Sequence, residues 1–354
     1  MIRTAKIAIV LFVVLIGFAQ ARTITVGPDP DYDFNSIQPA IDDANNGDTI
    51  IVQPGVYTEY IIFDGKNITL TSTNPGDFNV VASTIINGRV WFLGTEDPNC
   101  TLTGFKINRL IGGNGNGQNH THATISYCLL TGNLIDQGTV ISGCDGTISN
   151  CVIVNNLSSG QVFPGAIYGC HGLIKNCTIA NNFIRGIRVL NGGTTTIENC
   201  IIYGNGISVD GGATLNILYS NVEGGIYSGG DRTVNWGPGN IDADPCFADP
   251  AIGDYHLKSQ AGRWDPNSQN WVQDDVTSPC IDTGNPNSPI GAEPFPNGGL
   301  INMGAYGGTP EASKSYFGRP PCEIIIAGDV NGDCEVNWFD FQIIALHWLR
   351  DENQ

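Results

Sequence analysis

The chain has few charged residues and almost no methionine. Only 14% of its residues are charged, against roughly 25% in an average globular protein, and it contains 2 Met. It also has no long stretch rich in Ala, Leu, Glu and Lys. These shortages argue against helical bundles, coiled coils and Rossmann-type α/β domains. The 46 glycines, about twice the usual share of ~7%, instead favour a β protein with many turns.

Basic residues are scarce as well. The chain has 16 Lys and Arg against 34 Asp and Glu, which gives a net charge of −18. Such a surface repels phosphate backbones and anionic membranes, so nucleic acid is not expected as a partner. A site for uronates would need a local basic patch. Acidic side chains do suit hard cations such as Ca²⁺.

The N-terminus has the three parts of a secretory signal peptide. Arg3 and Lys6 precede an apolar run over residues 7–18, and Ala19-Gln20-Ala21 supplies a small-residue cleavage site. The apolar run is shorter than the ~20 residues of a spanning helix, although an uncleaved anchor is the alternative. We therefore predict a signal peptide over residues 1–21 and a secreted or cell-surface protein without a membrane span.

A sequence unit recurs through the middle of the chain. Each copy has a Cys, an apolar residue two positions later and an Asn five positions later. Four clear copies contain Cys128, Cys151, Cys177 and Cys200, a degenerate copy has Ser220 instead, and a weaker copy contains Cys100. A fixed period in the twenties is typical of a solenoid, and short segments broken by Gly and Asn indicate strands. The sequence therefore predicts an all-β fold, a right-handed parallel β-helix that is monomeric.

The repeated residues should stack in columns, one residue per coil. At a strand spacing of about 4.8 Å, inward cysteines pack as small hydrophobes and do not reach disulfide geometry. The clear cysteines are thus expected to be free thiols, with Cys144 and Cys170 in a second column; a metal–thiolate row is the alternative. The asparagines are expected to form a hydrogen-bonded ladder and to tolerate left-handed backbone. The members of this ladder are Asn133, Asn156, Asn182 and Asn205.

The two ends of the β-helix are expected to carry caps. Residues 35–44 can form a short helix, capped by Asn35 or Ser36, that covers the first coil. The period is lost after Gly224, and residues 231–312 form a loop-rich closure. The predicted domains are therefore a β-helix over 22–230, this closure, a linker over 313–321 and a C-terminal segment over 322–354.

Both ends also resemble a known family. The segment from Thr25-Val26-Gly27 to Gly55-Val56-Tyr57-Thr58-Glu59 resembles the start of pectate-lyase-like β-helix proteins. Residues 239–245, 253–257, 278–282 and 302–306 are similar to the C-terminal end of secreted bacterial β-helix proteins. The resemblance covers most of residues 23–312 and implies the β-helix fold. It does not select an activity, because such families contain lyases, hydrolases, epimerases and inert adhesins.

The C-terminal segment contains the spacing of an EF-type calcium loop. Side-chain oxygens stand at loop positions 1, 3, 5, 9 and 12, and the Glu335 carbonyl stands at position 7. These side chains belong to Asp329, Asn331, Asp333, Asn337 and Asp340. A chance acidic turn is the alternative. The loop and the following helical pattern resemble one half of a dockerin, which implies bound Ca²⁺ and a cohesin-like or other scaffold partner.

Two features of this segment differ from a dockerin. Loop position 6, usually Gly, is Cys334, and only one such loop is present. A disulfide between Cys322 and Cys334 could brace the altered loop. An apolar stripe on the following helix needs a surface, which could be a second copy, the β-helix or a scaffold partner. This stripe consists of Phe341, Ile344, Ala345, Trp348 and Leu349.

The β-helix offers few residues for catalysis. A lyase acting on uronates needs a cation at the substrate carboxylate and a base for the C5 proton. Arg185 and Arg188 form the one basic cluster, and Lys175 and His171 lie one strand earlier. These four residues are the predicted catalytic site on one outer face, with a solvated turn as the alternative.

Other polar residues of the same region have weaker signals. Asp136 and Asp145 could hold Ca²⁺ from adjacent coils, whereas His120 and His122 are interpreted as part of a flexible loop. No paired-Asp pattern of polygalacturonases and no pectin esterase motif is found.

Two functions from different classes remain open. The protein could be an extracellular enzyme, a polysaccharide lyase or glycosidase, tethered through its C-terminal segment. It could also be a non-catalytic surface, carbohydrate-binding or adhesin-like protein whose β-helix is a rigid spacer.

Overall fold

The chain forms a parallel β-helix. The computed structural model describes residues 21–108, 111–113, 120–135, 139–158, 165–182, 185–190, 192–228, 231–316, 328, 330 and 336–347. Within them, strands stack into three long sheets in which every pairing between neighbouring coils is parallel. The predicted fold class is thereby confirmed, with few helices. The predicted signal peptide covers residues 1–21, of which residues 1–20 lie outside the described residues.

Among the described residues, eight coils contribute one strand to each sheet, and one further strand extends the first sheet at each end. The first sheet contains Thr23–Val26, Thr49–Val52, Thr69–Ser72, Thr101–Thr103, Thr124–Ser126, Thr147–Ser149, Leu173–Lys175, Thr194–Glu198, Thr214–Leu218 and Thr233–Trp236. The second contains Gly55–Tyr57, Thr84–Ile86, Lys106–Ile107, Leu129–Thr131, Val152–Val154, Thr178–Ala180, Ile201–Tyr203 and Asn221–Val222. The third contains Ile61–Ile62, Val90–Phe92, Ile111–Gly113, Ile141–Ser142, Ile167–Tyr168, Ile187–Val189, Ile207–Val209 and Ile226–Ser228.

Three shorter strand pairs complete the β structure of the described residues. Leu134–Ile135 pairs in parallel with Leu157–Ser158. After the β-helix, Phe247–Asp249 pairs antiparallel with Asp254–Leu257, and Arg263–Asp265 pairs antiparallel with Asn270–Val272.

The cysteine column lies inside the coil and consists of free thiols. Cys128, Cys151, Cys177 and Cys200 are buried and unpaired, and the Cys200 amide donates to Ser220 Oγ at 3.0 Å, so Ser220 continues the column. Cys144 and Cys170 form the second column, where the Cys144 amide lies 3.2 Å from Cys170 Sγ. Burial raises the pKa of the Cys144 thiol to about 12, so it stays protonated at neutral pH. The free-thiol prediction is confirmed.

One part of the repeat assignment was wrong. The strand register aligns Thr101 with Thr124 and Lys106 with Leu129. Cys100 therefore precedes its strand of the first sheet, and Phe105, not Cys100, occupies the position below Cys128. The fully buried ring of Phe105 thus takes the place of a thiol in this early coil.

The asparagine ladder is present as predicted. The side-chain amide of Asn133 donates to Asn156 Oδ1 at 2.7 Å, Asn156 donates to Asn182 at 2.8 Å, and Asn182 donates to Asn205 at 3.1 Å. The left-handed backbone, however, belongs to the residues before the columns. Positive φ occurs at Tyr127, Asn150, Asn176, Asn199 and Tyr219 before the cysteine column, and at Asn155 and Asn181 before the ladder.

Two short helices accompany the first coils. Helix α1 (Ile37–Asp43) buries Ile37, Ala40 and Ile41, as expected of a cap. The Glu59 carboxylate accepts from the amides of Ile37 and Gln38 at 2.8 and 2.9 Å, whereas Ser36 makes no side-chain cap. The expected local cap was therefore wrong, because a residue from the next coil fills it. Helix α2 (Phe78–Ser83) has Asp77 as its N-cap, and the Asp77 carboxylate accepts from the Asn79 amide.

The residues after the β-helix pack against the outer face of the second sheet. Phe247, Tyr255, Leu257, Ile281 and Met303 share a second hydrophobic cluster with outward residues of that sheet. The left-handed asparagines serve as docking points. Asn150 donates to the Ala305 and Gly307 carbonyls, and the Tyr255 hydroxyl donates to Asn155 Oδ1 at 3.1 Å.

A buried ion network fixes this covering segment. His256 Nδ1 lies 2.6 Å from Asp254 Oδ1, and His256 Nε2 lies 3.1 Å from Glu311 Oε2. Arg263 pairs with both Asp254 and Asp274. Burial opposes protonation of His256, but its hydrogen bonds to Asp254 and Glu311 outweigh burial and raise its pKa above the ordinary value. The network is structural, because its five side chains are at most 12% exposed and are satisfied by one another.

Beyond this segment, helix α3 (Trp338–His347) is the main described element. Trp338, Phe339 and Phe341 are exposed on it. None of the helices in the described part of the chain has the length and the hydrophobicity needed to cross a membrane.

Candidate functional site

The outer face of the third sheet carries a row of aromatic and polar side chains. The register places Trp91, Ser142, Tyr168, Arg188, Ser208 and Tyr227 in one column. The residue before each of them in the strand is a buried or half-buried Val or Ile, so alternation turns the column outward. Among the described residues, the hydrophobic cluster formed by the covering segment lies on the second sheet and leaves this column outside it.

Two arginines join this column through one carboxylate. Arg185 Nη1 donates to Ser208 Oγ at 2.5 Å, and Ser208 Oγ donates to Asp210 Oδ2 at 3.1 Å. Arg188 Nε lies 3.4 Å from the same Asp210 oxygen, and both side chains of this ion pair are about 30% exposed. Each guanidinium also lies over a tyrosine ring, Arg185 over Tyr227 and Arg188 over Tyr168, both at 5.8 Å. The arginines are therefore held in place and partly accessible.

A cluster of two histidines and an aspartate lies at the turn between the third and first sheets. His120, Asp145 and His171 place one potential ligand atom each within 4.8 Å of one another. His120 Nδ1 lies 2.7 Å from Asp145 Oδ1, and the two imidazole rings stack with centroids 5.0 Å apart. All three side chains are half-buried, with 15–21% of each exposed.

The coil geometry explains why these side chains meet. Asp145 and His171 directly follow Cys144 and Cys170, whose buried side chains form the second cysteine column. Because adjacent residues of an extended chain point to opposite faces, the residue after each inward cysteine points outward. The 26-residue spacing then places Asp145 and His171 in successive coils, where the His171 amide donates to Asp145 Oδ1 at 2.9 Å.

The four predicted catalytic residues do not form one cluster. Arg185 and Arg188 lie together at the third sheet, whereas Lys175 is exposed on the first sheet. His171 joins Asp145 and His120 at the turn between the two sheets. Lys175 therefore lies on a different sheet from the two arginines.

The sequence interpretation missed His120 and only partly used Asp145. His120 belongs to the Gly- and Asn-rich residues 112–121, which suggested a flexible loop. No signal in the sequence identifies it, because its position follows from the bridge between the next residue, Thr121, and Cys144 in the adjacent coil. Asp136, the proposed partner of Asp145 for Ca²⁺, lies outside the described residues.

Two of the six predicted calcium ligands are described. Asp340 is buried, and its two carboxylate oxygens accept from the amides of Val330 at 2.7 Å and Asn337 at 2.8 Å. Asn337 Oδ1 accepts from the Phe339 amide at the start of helix α3. The other candidate ligands and both cysteines of the predicted disulfide lie outside the described residues; they are Asp329, Asn331, Asp333, Glu335, Cys322 and Cys334.

Comparisons with known proteins add a partial family match. A protein-family model described as "Disaggregatase related" matches residues 119–284, slightly less than half of the chain. No curated protein matches significantly. Among solved structures, a pectin methylesterase from Aspergillus niger is similar with 16% identity and a TM-score of 0.38, over 63% of this chain and 86% of that one. Pectate lyase Pel9A is similar with 16% identity and a TM-score of 0.39, over 82% of this chain and 97% of that one.

Proposed function

We propose that the protein is secreted and binds an extracellular polysaccharide along the outer face of the third sheet. The observation that carries the proposal is the network of Arg185, Ser208, Asp210 and Arg188 between two tyrosine rings. Successive strands repeat every ~4.8 Å, so the face presents these groups along a line that an extended glycan can follow.

The network has the chemistry of a sugar site. Guanidinium groups donate and the Asp210 carboxylate accepts, so together they can satisfy the hydroxyls of a sugar ring or hold a uronate carboxylate. Tyr168 and Tyr227 provide apolar ring faces with a polar edge, which suits the amphipathic faces of a sugar. Tyr227 is 57% exposed and therefore has free ring surface for a ligand.

Replacing the arginines is expected to weaken glycan binding. Arg188→Ala and Arg185→Ala each remove charge-assisted hydrogen bonds, typically about 1.5–3 kcal/mol each, so Kd should rise roughly ten- to hundredfold. Lys175→Ala is the matched control, because it removes an exposed cation from the first sheet. Binding is measured by affinity electrophoresis and calorimetry against polygalacturonate, alginate and neutral glycans.

The same panel separates the two classes of function. Mass spectrometry of the products would identify an enzyme: a lyase leaves an unsaturated end, and a glycosidase adds water. The activity of such an enzyme should fall in both arginine variants. Binding without products would identify a carbohydrate-binding protein. Binding that survives in the double arginine variant, or that falls equally in Lys175→Ala, would contradict the proposed face.

We also propose that the C-terminal segment binds one Ca²⁺ and docks to a scaffold. Asp340 supports this, because its carboxylate is turned inward onto two backbone amides rather than toward solvent. Three carboxylates in one short loop repel each other unless a cation lies between them.

Removing the last carboxylate of the loop is expected to abolish calcium binding. In the full chain, Asp340→Ala should eliminate one Ca²⁺ site in calorimetric titration, because the residue at loop position 12 completes the coordination. Asp351→Ala, which changes an acid beyond the loop, is the control. Equal Ca²⁺ binding by the wild type and Asp340→Ala would reject the site.

A further inference from the structure

We propose that His120, Asp145 and His171 form a binding site for a divalent transition metal of the Zn²⁺ class. Asp145 and His171 stand in successive coils, and His120 comes from the residues that precede the coil of Asp145. One potential ligand atom of each side chain lies within 4.8 Å of the other two. This donor set is distinct from the acidic loop near the C-terminus and from the arginine face.

The tautomer of the neutral His171 ring follows from its surroundings. Its Nε2 lies 2.8 Å from the Leu190 carbonyl oxygen, which can only accept, so Nε2 must donate. In the neutral ring Nδ1 then carries a lone pair, and it lies 3.6 Å from Asp145 Oδ1. That arrangement is the one used by metal-bound histidines, whose second nitrogen donates to a carbonyl or carboxylate.

The separation of these two atoms suits a shared metal. A distance of 3.6 Å is too long for a hydrogen bond. Two ligands of one tetrahedral Zn²⁺, with bonds of about 2.0–2.2 Å, lie roughly 3.3–3.5 Å apart. A cation between the two atoms would also remove the repulsion between a nitrogen lone pair and a carboxylate oxygen.

The backbone holds Asp145 and His171 in these positions. Asp145 Oδ1 accepts from the His171 amide, so the carboxylate cannot rotate away without losing that bond. The His171 ring lies against Gly193, where a Cβ would collide with the imidazole. Gly193 is therefore required for the ring to reach the Leu190 carbonyl.

His120 completes the set by a change of tautomer. In the metal-free arrangement its Nδ1 donates to Asp145 Oδ1 at 2.7 Å. For Nδ1 to bind the metal, its proton must move to Nε2 of the same ring, and the distance from Nδ1 to Asp145 Oδ1 must open to the spacing of two ligands, a movement of under about 1 Å.

The donor types select the metal. Two imidazole nitrogens and one carboxylate favour Zn²⁺ and similar transition metals, whereas Ca²⁺ takes six or more oxygen ligands. Three protein ligands leave a tetrahedral metal one open position. The side chains are 15–21% exposed, so that position can face solvent or a small ligand.

The test is zinc binding by the full chain after removal of metal with chelator. Calorimetry and metal analysis should give one Zn²⁺ that is lost, or at least tenfold weaker, in His171→Gln and Asp145→Asn. Asparagine at 145 keeps an oxygen for the His171 amide, so folding should survive. His122→Ala is the matched control, because His122 is exposed two residues from His120. Asp340→Ala should retain the site.

Cobalt provides a second readout. Co²⁺ in this site should give visible ligand-field bands without a thiolate charge-transfer band. A thiolate charge-transfer band would show that cysteines bind the metal, which would overturn the proposal. The proposal would also be overturned if the wild type bound no Zn²⁺ or if binding were unchanged in both His171→Gln and Asp145→Asn. An equal loss of binding in His122→Ala would overturn it as well.

Discussion

Ile179→Asp is expected to unfold the β-helix. Ile179 is fully buried at the centre of strand Thr178–Ala180, and it pairs with Ile153 in the coil before and Ile202 in the coil after. An ionised carboxylate among these side chains has no partner. The unpaired charge would cost several kcal/mol, which is comparable with a total stability of about 5–15 kcal/mol.

The control places the same residue at an exposed position of the first sheet. Thr194 is exposed in strand Thr194–Glu198, so Thr194→Asp should change the free energy of unfolding by less than about 0.5 kcal/mol. Urea unfolding followed by circular dichroism compares the two variants with the wild type. A cooperative transition of wild-type midpoint in Ile179→Asp would mean that the side chain does not point inward in solution.

The interior columns could be predicted because one coil repeats the contacts of the next. Each Cys–x–apolar unit places Cys128 or Cys151 in the same local environment, and the strand spacing forces equal residues to stack. The asparagine ladder follows for the same reason. Local periodicity was thus sufficient to predict the fold. It misaligned Cys100, because in that coil Phe105 occupies the position that the cysteine has in later coils.

Contacts between segments distant in sequence could not be read from the repeat. Glu59 caps helix α1 from more than 20 residues away, and Glu311 binds the Phe78 amide from 233 residues away. The covering of the second sheet also depends on such contacts, and this covering distinguishes it from the third sheet. The sequence also grouped Lys175 with Arg185 and Arg188, because it does not show that Lys175 lies on the first sheet and Arg188 on the third.

The candidate metal cluster was missed for a related reason. His120 precedes strand Thr124–Ser126, and its position follows from the bridge between the next residue, Thr121, and Cys144. His122, two residues further along the chain, is exposed. Two histidines of one short motif thus have different environments, which only the packing of adjacent coils decides.

The stability of the segment that covers the second sheet is expected to fall as the pH rises, because of Glu293. Its Oε1 accepts from the amides of Asn302 at 2.8 Å and Gly308 at 2.9 Å. Its Oε2 is buried without a hydrogen-bond partner among the described residues. Burial, together with the nearby charge of Asp282, raises the pKa of Glu293 from 4.5 to about 7, so the folded segment favours the protonated acid.

The sign of the effect follows from linkage. A carboxyl group whose pKa is raised in the folded state contributes stability that is complete below its unfolded pKa of 4.5 and is lost as the pH rises through about 7. The difference corresponds to about 3 kcal/mol. The raised pKa of His256 acts in the same direction, because its protonated form stabilises the network with Asp254 and Glu311.

Glu293→Gln isolates the glutamate, because the amide keeps the shape and neutrality of the protonated acid. The variant and the wild type should have similar stability at pH 4.5, and the variant should be more stable by about 3 kcal/mol at pH 8. Urea unfolding at several pH values, followed by the fluorescence of Trp264 and Trp271 in the covering segment, measures the difference. The contribution of His256 is common to both proteins and cancels.

Asp275→Asn, at an exposed acid of the same segment, should follow the wild type. If Glu293→Gln and the wild type instead lose stability in parallel from pH 4.5 to 8, Glu293 is not protonated in the folded segment, and the burial of its second oxygen must be relieved by a partner such as water.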